Sequence, residues 1–316
     1  MRRIFVTGAA TWSGGRLIQQ LERQAGVRVF AVDEIDPKIE FASEFERLGL
    51  DRLELARYLL DVEPHTVVHL QTVDRSALHG GVRSHQESIV GAQALFGAIG
   101  RCVTVEHVIV KSDGAVYGTS PRSPSVLSED SRLRPHGGRY ERDLEKMESF
   151  VRETALSNDH VDYTILRLAP IFGPTVGNPL SRYLTLPGVP SLLGFDPRLQ
   201  FIGEDDAVRA FLHVIERPIR GTFNIAAAGH LYLSRVIRLG RRIPQPLPRP
   251  FFNAALRGLA RLDLVIPKHT VALLESGRIV DTTAMRERLG FEPKLTGRQV
   301  VLSAYQRVRF EDSVPS

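Results

Sequence analysis

Six residues, Gly8-Ala9-Ala10-Thr11-Trp12-Ser13, lead from the apolar run Arg3-Ile4-Phe5-Val6-Thr7 into Gly14-Gly15-Arg16-Leu17-Ile18-Gln19-Gln20-Leu21, whose spacing is helical. Strand, small-residue turn and helix in that order are what a pyrophosphate site requires. Gly8 allows the tight turn, the helix start offers N–H groups and a positive dipole to a diphosphate, and Gly14 lets the helix pack close to the sheet. Ala10, Thr11, Trp12 and Ser13 form the rest of that loop. Asp33 ends the next strand, 25 residues after Gly8. A carboxylate there accepts hydrogen bonds from a ribose diol and repels a 2′-phosphate, so the expected cofactor is NAD rather than NADP.

Other chemistry-bearing residues are more ambiguous. Asp113, in Lys111-Ser112-Asp113-Gly114, reads as an acid or base if burial raises its pKa, or as a turn or helix cap. His69 reads as a structural residue beside the sheet, and the other histidines show no metal-like clustering. Glu204-Asp205-Asp206 suggests a cation site at first sight, but an acidic run at a helix start serves capping. Cys102 is the only cysteine, which excludes an intrachain disulfide and cysteine-built metal clusters; its apolar surroundings suit a buried thiol.

The elements that position these residues alternate. Strands at 27–32, 66–70, 107–110 and 163–167 are separated by amphipathic helices at 53–60, 88–99 and 140–155. This alternation predicts an α/β fold, a Rossmann-like doubly wound parallel sheet with right-handed crossovers, over residues 1–170. Pro- and Gly-rich connections then mark an interleaved, smaller C-terminal substrate lobe over 171–316, with a strand at 222–226 returning to the main sheet. Pro244-Gln-Pro-Leu-Pro-Arg-Pro250 reads as a rigid connector into an amphipathic helix over 251–264.

The chain has 316 residues, 43% hydrophobic and 24% charged, with a formal charge of +5. It lacks an apolar run near the ~18 residues that cross a bilayer, and it enters a strand by Ile4, so a soluble cytoplasmic protein is expected. The basic surplus is concentrated: Arg235, Arg238, Arg241, Arg242, Arg249, Arg257 and Arg261 occur with no acid between the first and the last. A solvated face, an anionic substrate, an acidic partner and an anionic membrane surface are the open readings. Nucleic acid is not expected, because the segment lacks aromatic interleaving and any recognised module.

The ordered motifs resemble the extended short-chain dehydrogenase/reductase superfamily, in particular its NAD-dependent epimerase/dehydratase members. Besides Thr7-Gly8 and Gly14, they are His69-Leu70, Val116-Tyr117-Gly118, Tyr140, Arg167-Leu-Ala-Pro-Ile-Phe-Gly-Pro174, Gln200-Phe-Ile-Gly-Glu-Asp-Asp206, Phe223-Asn224-Ile225 and Asp281 with Leu289-Gly290-Phe291. The resemblance implies that Leu70, Gln71, Thr72 and Lys111 lie beside the cofactor. It implies Tyr140 as the proton-transfer residue, with Ser112 and Asp113 at the substrate-positioning serine. Three departures accompany it: Thr11 replaces a glycine, Leu144 stands where relatives have the tyrosine's lysine partner, and Asp113 stands at the serine position.

The substrate class implied is a nucleotide sugar, whose diphosphate Arg198 and Arg278 would bind, with Arg241 or Arg242 contributing. The expected activity is hydride transfer at a hydroxyl or carbonyl group of a small molecule. The alternative is a catalytically degenerate nucleotide-binding protein acting as sensor or assembly partner. Tyr140 correspondingly reads as a proton donor, a binding residue or a packing residue. Relatives commonly pair through the two helices that correspond to 88–99 and 140–155, so a homodimer is expected.

Overall fold

The structure, a computed structural model, describes residues 1–49, 53–71, 82–118, 124–133 and 138–311. The chain divides into two compact units, each assembled from separated segments: 1–113, 142–167 and 208–223 form the first, and 114–141, 168–207 and 224–316 the second. The boundary expected near 170 lies close to Leu168, where the chain passes into the second unit for the second time. Residues 114–141, which follow the fifth strand, already group with the second unit, and 208–223 group with the first.

The main sheet contains β1 (Arg2–Thr7), β2 (Val27–Asp33), β3 (Glu44–Arg47), β4 (Thr66–His69), β5 (His107–Asp113), β6 (Asp162–Leu168) and β7 (Gly221–Ile225), in the order β7-β6-β5-β4-β1-β2-β3. β1 pairs in parallel with both β2 and β4, so the sheet reverses its winding beside β1, where doubly wound sheets bind their ligands. The expected returning strand is β7. β3 escapes sequence reading because Glu44-Phe45-Glu46-Arg47 is charged and mostly exposed, as an edge strand is.

Helices α1 (Trp12–Leu21), α2 (Leu53–Val62), α3 (Val82–Ile99) and α4 (Arg139–Ser157) supply the crossovers, and α5 (Glu204–Glu216) precedes β7. α1 forms because Leu17, Ile18 and Leu21 recur on one face and are buried, while Ile4, Phe5 and Val6 of β1 are fully buried.

The second unit has its own core, including Phe172, Tyr183, Phe201, Val236, Ile237, Phe252, Leu274 and Tyr305. Two-stranded pairings join 188–192 with 243–247 in parallel and Arg198–Leu199 with Leu231–Tyr232 antiparallel. Helices α6 (Arg249–Ala260) and α7 (Lys268–Ser276) contribute Phe252, Leu273 and Leu274 to the core. Asp206 holds the 294–295 backbone by accepting from the Lys294 and Leu295 amides at 2.9 and 3.1 Å, so this acid serves structure. Glu204 accepts from Thr175 instead. Among the described residues no cluster of His, Cys, Asp or Glu has metal-binding geometry, and no helix is long and apolar enough to cross a membrane.

Candidate functional site

The first unit carries the loop between β1 and α1. Gly8 has φ +79°, and an ideal Cβ on it would lie 2.6 Å from the Gln71 amide nitrogen. A Cβ on Gly14 would lie 2.1 Å from the Gly8 carbonyl oxygen, so Gly14 is required by the turn itself, not only by helix–sheet packing. Thr11 is the N-cap of α1. Its hydroxyl donates to the Gly8 carbonyl at 2.6 Å and accepts from the Gly14 amide at 3.0 Å. The one hydroxyl hydrogen of Thr11 is thus already given to Gly8. Ala10 and Trp12 are half-buried and Ser13 is buried.

Asp33 is fully buried at the end of β2. Its two oxygens accept from the Ala10 amide at 2.8 Å and the Glu34 amide at 2.7 Å, tying the cofactor loop to the strand end. The exposed carboxylate beside it is Glu34, which sequence reasoning did not single out although it directly follows Asp33. Gln71 donates to Glu34 at 3.3 Å. Leu70 is fully buried and its amide donates to the Thr7 carbonyl at 3.0 Å; Thr72 lies outside the described residues. His69 is buried against Phe96 and hydrogen-bonded to the Thr7 hydroxyl at 2.7 Å. Burial pushes its pKa down to about 4, so the ring is neutral at physiological pH and structural.

β5 separates the next three candidates by its alternation. Lys111 and Asp113 are half-buried on one face, and Ser112 is fully buried on the other. There its hydroxyl donates to Glu148 of α4 at 2.6 Å. Arg167 closes the same cluster, giving Glu148 two bonds of 3.0 and 2.6 Å. Ser112 thus belongs to a buried ion-pair network. Leu144, at the family's lysine position, is fully buried one helical turn before Glu148.

The second unit carries Tyr140, half-buried in the first turn of α4. Its ring stacks on His269 of α7, with centroids 4.1 Å apart and planes at 29°. His269 is a neighbour that sequence reading missed, since no local pattern links residues 129 apart. The Gly138 amide donates to Glu141 at 2.8 Å, fixing the start of α4 beside this stack. The two arginines expected at a diphosphate come together: the Arg278 amide donates to the Arg198 carbonyl at 2.9 Å, and both side chains are half-buried. Gly277, at φ +71°, permits this approach, because a Cβ there would meet Arg198 backbone at 2.6 Å. Tyr117 and Asn224, from two of the ordered motifs, are buried partners at 2.6 Å, and the Asn224 side chain also bonds the Leu127 and Asp281 carbonyls.

Strand order, crevice-side loop, capped helix start and acidic strand end together define a dinucleotide-binding Rossmann protein of the extended short-chain dehydrogenase/reductase superfamily. Comparison with known proteins gives the group within that class. The chain belongs to the NAD dependent epimerase/dehydratase family, which matches residues 4–226. An uncharacterized protein of Mycobacterium tuberculosis is 37% identical over 303 residues, covering 93% of this chain and 80% of the relative. A second uncharacterized protein of that organism is 31% identical over 144 residues, 45% of this chain and 16% of the relative.

Among solved structures, the UDP-glucose 4-epimerase of Thermotoga maritima with UDP-glucose aligns with a TM-score of 0.76 at 22% identity, over 98% of this chain and 100% of that one. The UDP-glucuronic acid 4-epimerase of Bacillus cereus, in complex with UDP-glucuronic acid and NAD, aligns with a TM-score of 0.75 at 17% identity, over 98% and 99%. At these identities the structural likeness establishes the fold.

The loop of this chain fits the family's cofactor. Gly8 and Gly14 stand where a Cβ would collide, α1 begins directly after the loop, and Asp33 with Glu34 forms an acidic strand end suited to a ribose without a 2′-phosphate.

Proposed function

We propose that the protein binds NAD on the β1–α1 loop and acts as an epimerase-like oxidoreductase on a hydroxyl or carbonyl group of a nucleotide sugar. The observation that carries this reading is the loop itself: Gly8 at positive φ, Gly14 against the Gly8 carbonyl, and the Asp33-Glu34 pair at the end of β2. Gly8, Trp12, Ser13, Glu34 and Gln71 hold the dinucleotide, with Leu70 and Lys111 beside it. Asp33 keeps the loop closed from beneath. NAD, when bound, supplies a hydride acceptor and donor at its nicotinamide ring. Tyr140 holds a proton on its phenol oxygen and exchanges it with the substrate oxygen, its ring fixed by the His269 stack. Asp113 lies at the position from which relatives orient the substrate, and Arg198 and Arg278 bind its diphosphate. Ser112 acts only through Glu148 and Arg167.

A second reading, a nucleotide-binding protein without turnover, is favoured by one observation: the family's lysine position is a leucine sealed in the core. Calorimetric titration with NAD and NADP, followed by a screen of UDP-glucose, UDP-galactose and UDP-glucuronic acid by nicotinamide absorbance and product analysis, separates the two. The first reading expects NAD to bind more tightly than NADP and at least one nucleotide sugar to turn over. It also expects Tyr140→Phe to lower that turnover about a hundredfold with NAD affinity unchanged. NAD binding without any turnover would favour the second, and binding of neither dinucleotide would overturn both.

A further inference from the structure

The α6 helix has one face committed to the second unit's core and another that no described residue of that unit covers. Phe252 is fully buried, and Leu256 and Leu259 pack onto the same core. Phe251 is 65% exposed and Leu262, in the turn that closes the helix, is 75% exposed. Eleven residues are close to three whole turns, so these two apolar side chains lie on one line along the helix, roughly 16 Å apart. To one side stand Arg261, about a quarter-turn from that line, and Arg257, about a third of a turn from it, both exposed and one turn apart. The strip between the two lines is Ala254 and Gly258, and a Cβ on Gly258 would meet nothing within 4 Å.

The surroundings continue the pattern. Ile243 and Val265 are exposed, and the helix is approached through the proline-rich run 244–250. The seven arginines between 235 and 261 are interrupted by no carboxylate; Arg249 meets Glu275 at 3.2 Å, and Asp263 is the first acid beyond the helix. A helix that docks in a protein groove shows apolar anchors every three or four residues. Here the outward apolar residues are a full three turns apart with guanidinium groups beside them, the arrangement of a helix lying flat in a headgroup layer.

We propose that this face of α6 is a peripheral docking surface for an anionic lipid bilayer, with Phe251 and Leu262 entering the acyl boundary and Arg257 and Arg261 meeting lipid phosphates. Ala254 and Gly258 let the helix axis approach the headgroups between them. The test is co-sedimentation of the full chain with vesicles of phosphatidylcholine alone and of phosphatidylcholine mixed with phosphatidylglycerol, across a salt series.

Binding to the mixed vesicles is expected to exceed binding to phosphatidylcholine by about tenfold or more and to weaken with salt. Arg257→Glu with Arg261→Glu should lower it by about fivefold for each charge removed, or more. Phe251→Ser with Leu262→Ser should weaken it while leaving a salt-sensitive residue of binding. Thermal melts establish that each pair folds as the parent does, and the milder Arg257→Gln with Arg261→Gln serves if the reversal does not. Equal binding to both vesicle types, no binding to either, or variants that bind as the parent does would overturn the proposal. So would a sedimentation-velocity dimer that Phe251→Ser with Leu262→Ser converts to monomer, since the face would then join two copies of this chain.

Discussion

At the scale of single residues, the chemistry turns on where a hydroxyl or carboxylate spends its hydrogen bonds. Thr11 is the clearest case. Sequence shows that a side chain replaces a glycine; only coordinates show that its hydroxyl closes the turn between Gly8 and Gly14. Thr11→Gly uncaps α1 and opens the loop at once. The expected outcome is a loss of roughly a few tenths of a kcal/mol in stability together with tighter NAD binding, read by denaturant unfolding and calorimetry on the same variant. Unchanged affinity would mean the threonine leaves the phosphate amides untouched. Gly8 and Gly14 were legible in the sequence because a turn before a helix has few solutions. Ser112 was not, because strand alternation tells that two faces exist but not which one meets Glu148.

At the scale of elements, α4 holds two unlike environments. Its first turn brings Tyr140 against His269, whereas the turns after it bury Leu144 and Glu148 in the first unit. The helix was legible from its periodicity, and its burial pattern follows from Leu144, Met147 and Val151. The buried Glu148–Arg167 pair was not legible, since it joins a helix to a strand nineteen residues on and no local pattern marks which helix face meets that strand. Leu144→Lys looks from sequence like the restoration of a lost catalytic partner. The structure gives the opposite expectation. Both Glu148 oxygens are already bonded, so a lysine there adds a buried charge without a vacant acceptor and should cost about 3 kcal/mol or more. Denaturant midpoints of the parent and the variant measure it, and an unchanged midpoint would show that the lysine reaches solvent.

For the whole molecule, pH acts through two buried histidines on the main sheet. Burial pushes both His69 and His107 down to about 4; for His107 the nearby Asp162 opposes the shift and Arg2 adds to it. The unfolded chain therefore binds protons near pH 6.5 that the folded chain refuses, and stability falls as pH drops from about 6.5 to 4. Each histidine contributes up to roughly 3 kcal/mol to that fall. Unfolding free energies at neutral and mildly acid pH should show it, and His69→Gln should remove about half the slope. The division of the chain into interleaved segments also bears on its synthesis. β6 leaves the ribosome some fifty residues before β7, its neighbour in the completed sheet. At ordinary translation speeds that is a gap of roughly 3–10 s. Throughout it, Tyr163-Thr164-Ile165-Leu166 is a largely apolar strand with a bare hydrogen-bonding edge. The nascent chain is thus most prone to wrong pairing not at its start but halfway through its manufacture, when most of the dinucleotide fold exists and its last strand has yet to be made.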